Sequence, residues 1–258
     1  MAVIEDDLGR PVDLPRRPQR LVSLVPSLTE ALATTVPELL VGATDWCTHT
    51  AGLELPRVRG TKNPDHAVIS DLRPDLVVAN REENRRTDVA RLEQSGIRVW
   101  VTEIGALDQA FASLRRLFGA VLDMDAPPWL TSAERVWGAP PGLPPRRTLA
   151  PVWRDPWMAV GARTFAGDLI ERLGLVNVLA GAADRYPKLQ LTEMRELRPE
   201  LVLLPDEPYP FTATDGPDAF AWTTAALVEG RALTWYGPSL VTARRNLVDG
   251  IAGVLDGP

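Results

Sequence analysis

The side chains of this 258-residue chain with the most chemical reach are aromatic rings and guanidinium groups set in loops. In an α/β protein the loops at the carboxyl ends of the strands form the binding face. On that rule the first half offers Trp46, His49, Asn80 and Arg81. The second half offers Trp153, Arg154, Trp157, Arg185, Tyr186, Tyr209, Trp235 and Tyr236. Aromatic faces suit a flat organic surface, and a guanidinium suits a carboxylate or phosphate group. Such a set recognises a ligand. It does not by itself transform one.

Covalent chemistry finds little support. There is no nucleophile motif, no glycine-rich phosphate loop and no standard metal-ligand spacing. A bare-metal site would need several His, Asp or Glu ligands to converge, and the chain has two histidines, His49 and His66. Any metal is therefore expected to arrive already chelated, with His49 the candidate axial ligand, since neutral imidazole is a common one. A catalytic alternative would pair His49 with Glu82 or Glu207. Trp100 and Trp222 sit in apolar contexts and read as core, and Cys47 reads as a small half-buried residue.

Composition narrows the class. The hydrophobic share is 45% and the charged share 24%, ordinary for a globular protein. A net charge of −6 argues against nucleic acid, which is held through Lys and Arg on phosphates. No stretch approaches the roughly 20 apolar residues of a membrane helix. The opening MAVIEDDLGRPVDLP lacks a basic head and an apolar run, and Cys47 is the only cysteine. A cytoplasmic location is expected, or an extracytoplasmic one if an export segment precedes this sequence.

The elements that must carry the loops follow from pattern. GRPVDLPRRP reads as a turn at Gly9–Arg10 within a hairpin, and 20–25 as a buried strand. Ser27 and Glu30 form a capping-box signature for a helix over 28–35. Six apolar residues from Leu107 to Val121 share one helical face, predicting a helix over 107–122, and 129–137 predicts a short one. The proline-rich run 138–145 is a stiff linker, 147–153 a strand, and 164–173 a helix ending at Gly174. Alternating strands and helices predict parallel α/β sheets.

The sequence also repeats itself. Residues 71–78, DLRPDLVV, return as 196–203, ELRPELVL, with five identities and two Asp-to-Glu exchanges. Each copy is a helix end, an Arg-Pro break and an apolar strand. Proline forces the residue before it out of the helical region, so the break is mechanically sensible. Two similar α/β lobes follow, an N-terminal one over 1–104 and a C-terminal one over 147–258, joined by a helical and proline-rich segment over 105–146.

PQRLVSLVPSLTEAL, ISDLRPDLVVA, WMAVGARTFAGDLIERLGLVNVLA and MRELRPELVLL, in that order, resemble the helical-backbone metal receptor superfamily. Its members include the substrate-binding proteins of vitamin B12 and iron-siderophore ABC transporters. The resemblance spans roughly residues 10–255. It implies a class III periplasmic-binding-protein-like fold, in which two α/β lobes with mostly parallel sheets are joined by a bridging helix and hold ligand in a cleft between them. The bridge falls to 107–122 or to 129–137. It implies non-catalytic binding of a cobalamin or other corrinoid, with a ferric siderophore or haem next, and no intrinsic cofactor. His49, Asn80, Trp157, Tyr186 and Trp235 match positions where B12-binding relatives place ligand contacts. It further implies a monomer that docks to an ABC permease through one glutamate per lobe. Glu193 fits the second-lobe position, whereas the first falls near Ala67, with Asp65 close by. A cytoplasmic carrier or sensor, or a tetrapyrrole metal-handling enzyme, are the alternatives on the same scaffold.

Overall fold

The computed structural model describes residues 2–14, 17–50 and 52–255. Pro15 and Arg16, in the expected opening segment, lie outside them. The chain divides into two compact units, each described separately. One comprises Met1–Ile104, Asp108–Thr131 and Tyr236–Pro238, and the other Gly105–Leu107, Ser132–Trp235 and Ser239–Pro258. The division between 131 and 132 falls inside the helix Pro128–Trp137, about 15 Å long at its 10 residues.

In the first unit, Leu40–Ala43, Leu21–Ser23, Leu76–Asn80 and Val99–Thr102 lie side by side in that order, all parallel. Parallel neighbours require crossovers, supplied by the helices Pro26–Thr35 and Arg86–Gln94. The inner strands are buried throughout because both sheet faces are covered, and they are apolar up to the polar residues Ser23 and Asn80 at their ends. Val22, Leu24, Ile69, Val77, Ala79, Leu92 and Val99 pack together on one side. The expected hairpin pairs Ala2–Glu5 with Pro11–Leu14, and Gly9 takes the left-handed conformation at its turn.

The second unit repeats this plan. Val176–Asn177, Arg147–Leu149, Leu201–Pro205 and Thr224–Val228 form a parallel sheet. In both sheets the strand that comes first in the chain lies second in the sheet. The two α/β lobes read from the duplication are present. A two-stranded antiparallel ribbon, Pro151–Trp153 with Met158–Ala159, leaves this second sheet and carries the aromatic loop described below.

The repeat has a definite mechanical content. Arg73 and Arg198, before each proline, adopt positive φ of 47° and 49°, which turns the chain out of the helix. Leu76 and Leu201 then enter their strands fully buried. Truncating either to Ala would cost about 2–5 kcal/mol.

Four local expectations are corrected. The first helix begins at Pro26 with Val25 at its cap and no side-chain cap bond, so Ser27 and Glu30 lie inside it. Proline at the first helical position already has the required φ, so the side-chain cap is dispensable. The strand predicted over 20–25 ends at Ser23, and the chain turns into that helix. The predicted 107–122 helix is α-helical over Leu107–Arg116 and continues as a π-helical turn, Leu117–Val121, which keeps Leu117, Phe118 and Val121 buried. Residues 147–153 are two strands of different sheets, Arg147–Leu149 and Pro151–Trp153, not one. Among the described residues no helix is long and apolar enough to cross a membrane.

Candidate functional site

In the first unit the loop after Leu40–Ala43 is held from beneath. Arg57 Nη1 donates to the carbonyls of Thr44 and Cys47, each at 2.9 Å. Cys47 Sγ lies 3.0 Å from Thr29 Oγ1 and 3.1 Å from Thr44 Oγ1. Cys47 is more deeply buried than the sequence suggested, and that burial pushes its thiol pKa up. With the loop base fixed, Trp46 is left 66% exposed, and His49 is exposed with Nδ1 3.1 Å from Thr48 Oγ1.

Asn80 ends the strand Leu76–Asn80 and Arg81 follows it, and the two have different surroundings. Asn80 is buried. Its Oδ1 accepts from the Glu82 and Glu83 amides, and its Nδ2 donates to Thr102 Oγ1 at 3.0 Å. This shapes the turn that follows. Arg81 is exposed and ion-paired with Glu103. Tyr236 is buried in the same unit and donates to Glu83 Oε1 at 3.1 Å; burial and the Glu83 charge raise its hydroxyl pKa well above the ordinary value.

The second unit gathers its aromatic residues. Trp157 stacks on Phe211 with centroids 5.9 Å apart and planes 8° from parallel, and meets Phe220 edge-on at 5.3 Å. Tyr209 lies 4.6 Å from Phe211 and 5.9 Å from Trp153, which is 43% exposed at the end of its strand. The rings thus form a graded platform, from buried Phe220 and Phe211 through half-buried Trp157 and Tyr209 to Trp153 at the surface. Arg154 lies over the Trp157 ring, 5.4 Å from its centroid, and is ion-paired with Asp215. Asp215 also accepts from the Tyr209 hydroxyl at 2.7 Å. That bond is the main cause raising the Tyr209 pKa, so the phenol stays a neutral donor.

Arg185 and Tyr186 are half-buried on a loop pinned along the Trp157–Gly161 segment. The Gly161 amide donates to the Arg185 carbonyl at 2.8 Å, and the Leu189 amide to the Trp157 carbonyl at 3.2 Å. A Cβ on Gly161 would stand 2.6 Å from the Asp184 carbonyl oxygen, so this approach requires glycine. Trp235 is buried beside Arg231, whose guanidinium is 5.6 Å from its ring, and is hydrogen-bonded to Glu207. Glu193 is exposed and accepts from the Gln190 amide at 2.6 Å, closing a capping box on the helix Leu191–Glu196. Trp100 is fully buried, as expected, and Trp222 half-buried against Phe220.

Two residues that shape these loops escape a sequence reading. Asp215 lies in the turn Thr212–Asp215, whose Thr-Asp-Gly composition announces a turn and nothing more. Arg57 follows a proline in a stretch without periodicity. Among the described residues no group of three or more His, Cys, Asp or Glu is placed to hold a metal ion.

No family model matches the chain. A vitamin B12-binding protein of Vibrio vulnificus is 23% identical over 193 residues, covering 72% of this chain and 71% of that one. The periplasmic vitamin B12-binding protein BtuF of Vibrio cholerae superposes with a TM-score of 0.73 at 18% identity, over 94% of this chain and all of BtuF. The chain has the class III periplasmic-binding-protein fold. A periplasmic haem-binding protein of Roseiflexus, RhuT, in its apo form, shares the same binding-protein fold with a TM-score of 0.74 at 20% identity, over 92% of this chain and 98% of RhuT. The superfamily resemblance read from the sequence motifs is therefore matched by the fold.

Proposed function

We propose that the protein binds a small metal chelate, a corrinoid such as cobalamin first and haem or a ferric siderophore next, without covalent chemistry. In this reading it serves as the substrate-binding component of an ABC-type uptake system, with the ligand as cargo rather than resident cofactor. The observation that carries it is the graded aromatic platform of Trp153, Tyr209, Trp157 and Phe211 with Arg154 over it. An aromatic cluster that runs from buried rings to an exposed indole gives a flat macrocycle a ring face to lie on. In the first unit the exposed Trp46 and His49, on a loop fixed by Arg57, supply a second candidate contact. The likeness to B12- and haem-binding proteins of the same fold supports the ligand class.

Docking to a permease would use Glu193, whose exposed carboxylate is fixed by its helix cap. The test of the ligand class is a titration with cyanocobalamin followed through tryptophan fluorescence, with hemin and a ferric siderophore in parallel. Saturable quenching at micromolar or lower concentration, beyond inner-filter absorption, is expected for at least one. No response to any of the three removes the chelate-binding reading.

A further inference from the structure

The platform carries a charge pattern that bears on which chelate it takes. Arg154 is the cation over the ring face, but Asp215 is ion-paired with it, and Asp155 places a second carboxylate 3.8 Å from its Nε. The Asp155 side chain is 89% exposed and that of Asp215 37% exposed, so both fields reach the solvent beside Trp153 and Tyr209. One guanidinium thus stands against two carboxylates. The adjoining loop adds Asp184, Arg185 and Lys188, the last bridged through its main chain to Met158, so the two carboxylates at Arg154 are the anionic charge closest to the rings.

We propose that Asp215 is a specificity-determining residue: by closing on Arg154 and Tyr209 it makes the aromatic platform select a macrocyclic chelate with a neutral, amide-fringed rim over one bearing free carboxylates. The inference rests on the chelate-binding reading and deepens it. A carboxylate on the ligand meets like charge and must displace Asp215 to reach the guanidinium. An amide rim brings no charge, and its carbonyls accept from the Tyr209 hydroxyl or from guanidinium protons left over by the ion pair. Rejecting a near-identical ligand through a like charge is an economical form of selection.

The test compares hemin with its bis-amide, which share ring and iron and differ only at the rim, and adds cyanocobalamin as a third probe. Wild type is expected to bind the bis-amide about fivefold or more tightly than hemin, a ratio of the size one unscreened surface charge produces. Asp215→Asn keeps the shape and an acceptor for Tyr209 while removing the charge, and should shrink that ratio toward one. Arg154→Gln removes the opposing cation and should widen it. Raising the salt should compress the wild-type ratio, since exposed charges are screened beyond about 8 Å at physiological ionic strength. A wild-type ratio of one or below, or a ratio unchanged in both variants, overturns the role of Asp215 even if every probe binds. Failure of all three probes to bind wild type overturns the chelate-binding reading, and this inference falls with it.

Discussion

The guanidinium of Arg147 donates from Nη2 to the main-chain carbonyl of Leu197 at 2.6 Å and from Nε to that of Arg198 at 3.2 Å. In the first unit Arg20 makes the same two bonds, to Leu72 at 2.7 Å and Arg73 at 3.2 Å. Each arginine sits at the entry to the first strand of its sheet and clamps the end of the helix that precedes the third. The carboxylate that follows each Arg-Pro closes the clamp from the other side, Asp75 to the Arg20 amide at 3.1 Å and Glu200 to the Arg147 amide at 2.9 Å. The duplication is thus a repeated device for turning a helix into a buried strand.

The carbonyls at a helix C-terminus have no partners within the helix, which is why the clamp has value. Arg147→Ala and Arg20→Ala should each lower the unfolding free energy by about 1 kcal/mol, the net worth of such bonds where water competes for them. Lysine would restore less than half, because an ammonium cannot reach both carbonyls as the planar fork does. Urea midpoints at constant m-value would read the effect, and an unchanged midpoint in both variants would show that water replaces the arginine without loss.

The clamp also marks what was legible in advance. The eight-residue repeat announced two like lobes, and the apolar runs at 76–79 and 201–204 announced parallel strands, because both signals are local and written in residue order. The short helix expected over 129–137 after the Pro127–Pro128 break is present as Pro128–Trp137. The Ser27–Glu30 signature misled because the proline one residue earlier already sets the first helical φ. Asp215 was invisible for another reason. Its partners Arg154 and Tyr209 lie 61 and 6 residues away, and nothing in a Thr-Asp-Gly turn says which cation will come to it. Strand-end loops can be listed from sequence, but which of their side chains stay available to a ligand depends on contacts such as those that occupy Asn80.

Trp153 and Trp157 separate ligand contact from packing. Trp153 is 43% exposed and touches Tyr209 edge-on, so Trp153→Ala should change stability by less than about 1 kcal/mol. It should weaken ligand by about 1–3 kcal/mol, the usual cost of losing an aromatic anchor. Trp157 is stacked on Phe211 and packed against Phe220, so Trp157→Ala should cost about 2–4 kcal/mol of stability. Thermal melts beside fluorescence titrations would test the split. Equal stability losses in the two variants would mean that the platform is not graded as described.

Cys47 is buried between Thr29 and Thr44, and burial raises its pKa, which leaves little thiolate at neutral pH. The native protein should react with Ellman's reagent at least about a hundredfold more slowly than the urea-unfolded chain, as the thiolate is the reacting form and access is closed. Cys47→Ser would place a hydroxyl where the sulfur sits and cost about 1 kcal/mol, because its smaller oxygen packs less well against the same partners. A fast native reaction would mean that the 44–50 loop opens readily despite the Arg57 clamp.

Glu207 gives the second unit a defined pH response. Its carboxyl pKa is raised, chiefly by burial and next by the charge of Asp206, while the hydrogen bond from Trp235 and the Arg231 charge oppose the shift. In the unfolded chain the same group titrates near the ordinary value of about 4.3. Between that value and the raised one, the folded state keeps a proton that the unfolded state has released. Stability is therefore greatest below about pH 4.3 as far as this group is concerned, and it falls as pH rises through the folded-state pKa. Glu207→Gln removes the titration and keeps an amide oxygen to accept from Trp235. Its Tm should match wild type near pH 4, where Glu207 is largely protonated in both states, and exceed it at pH 7. A Tm difference that stays constant from pH 4 to pH 7 would show that Glu207 is ionised with the same ease folded and unfolded, and that its buried setting costs nothing.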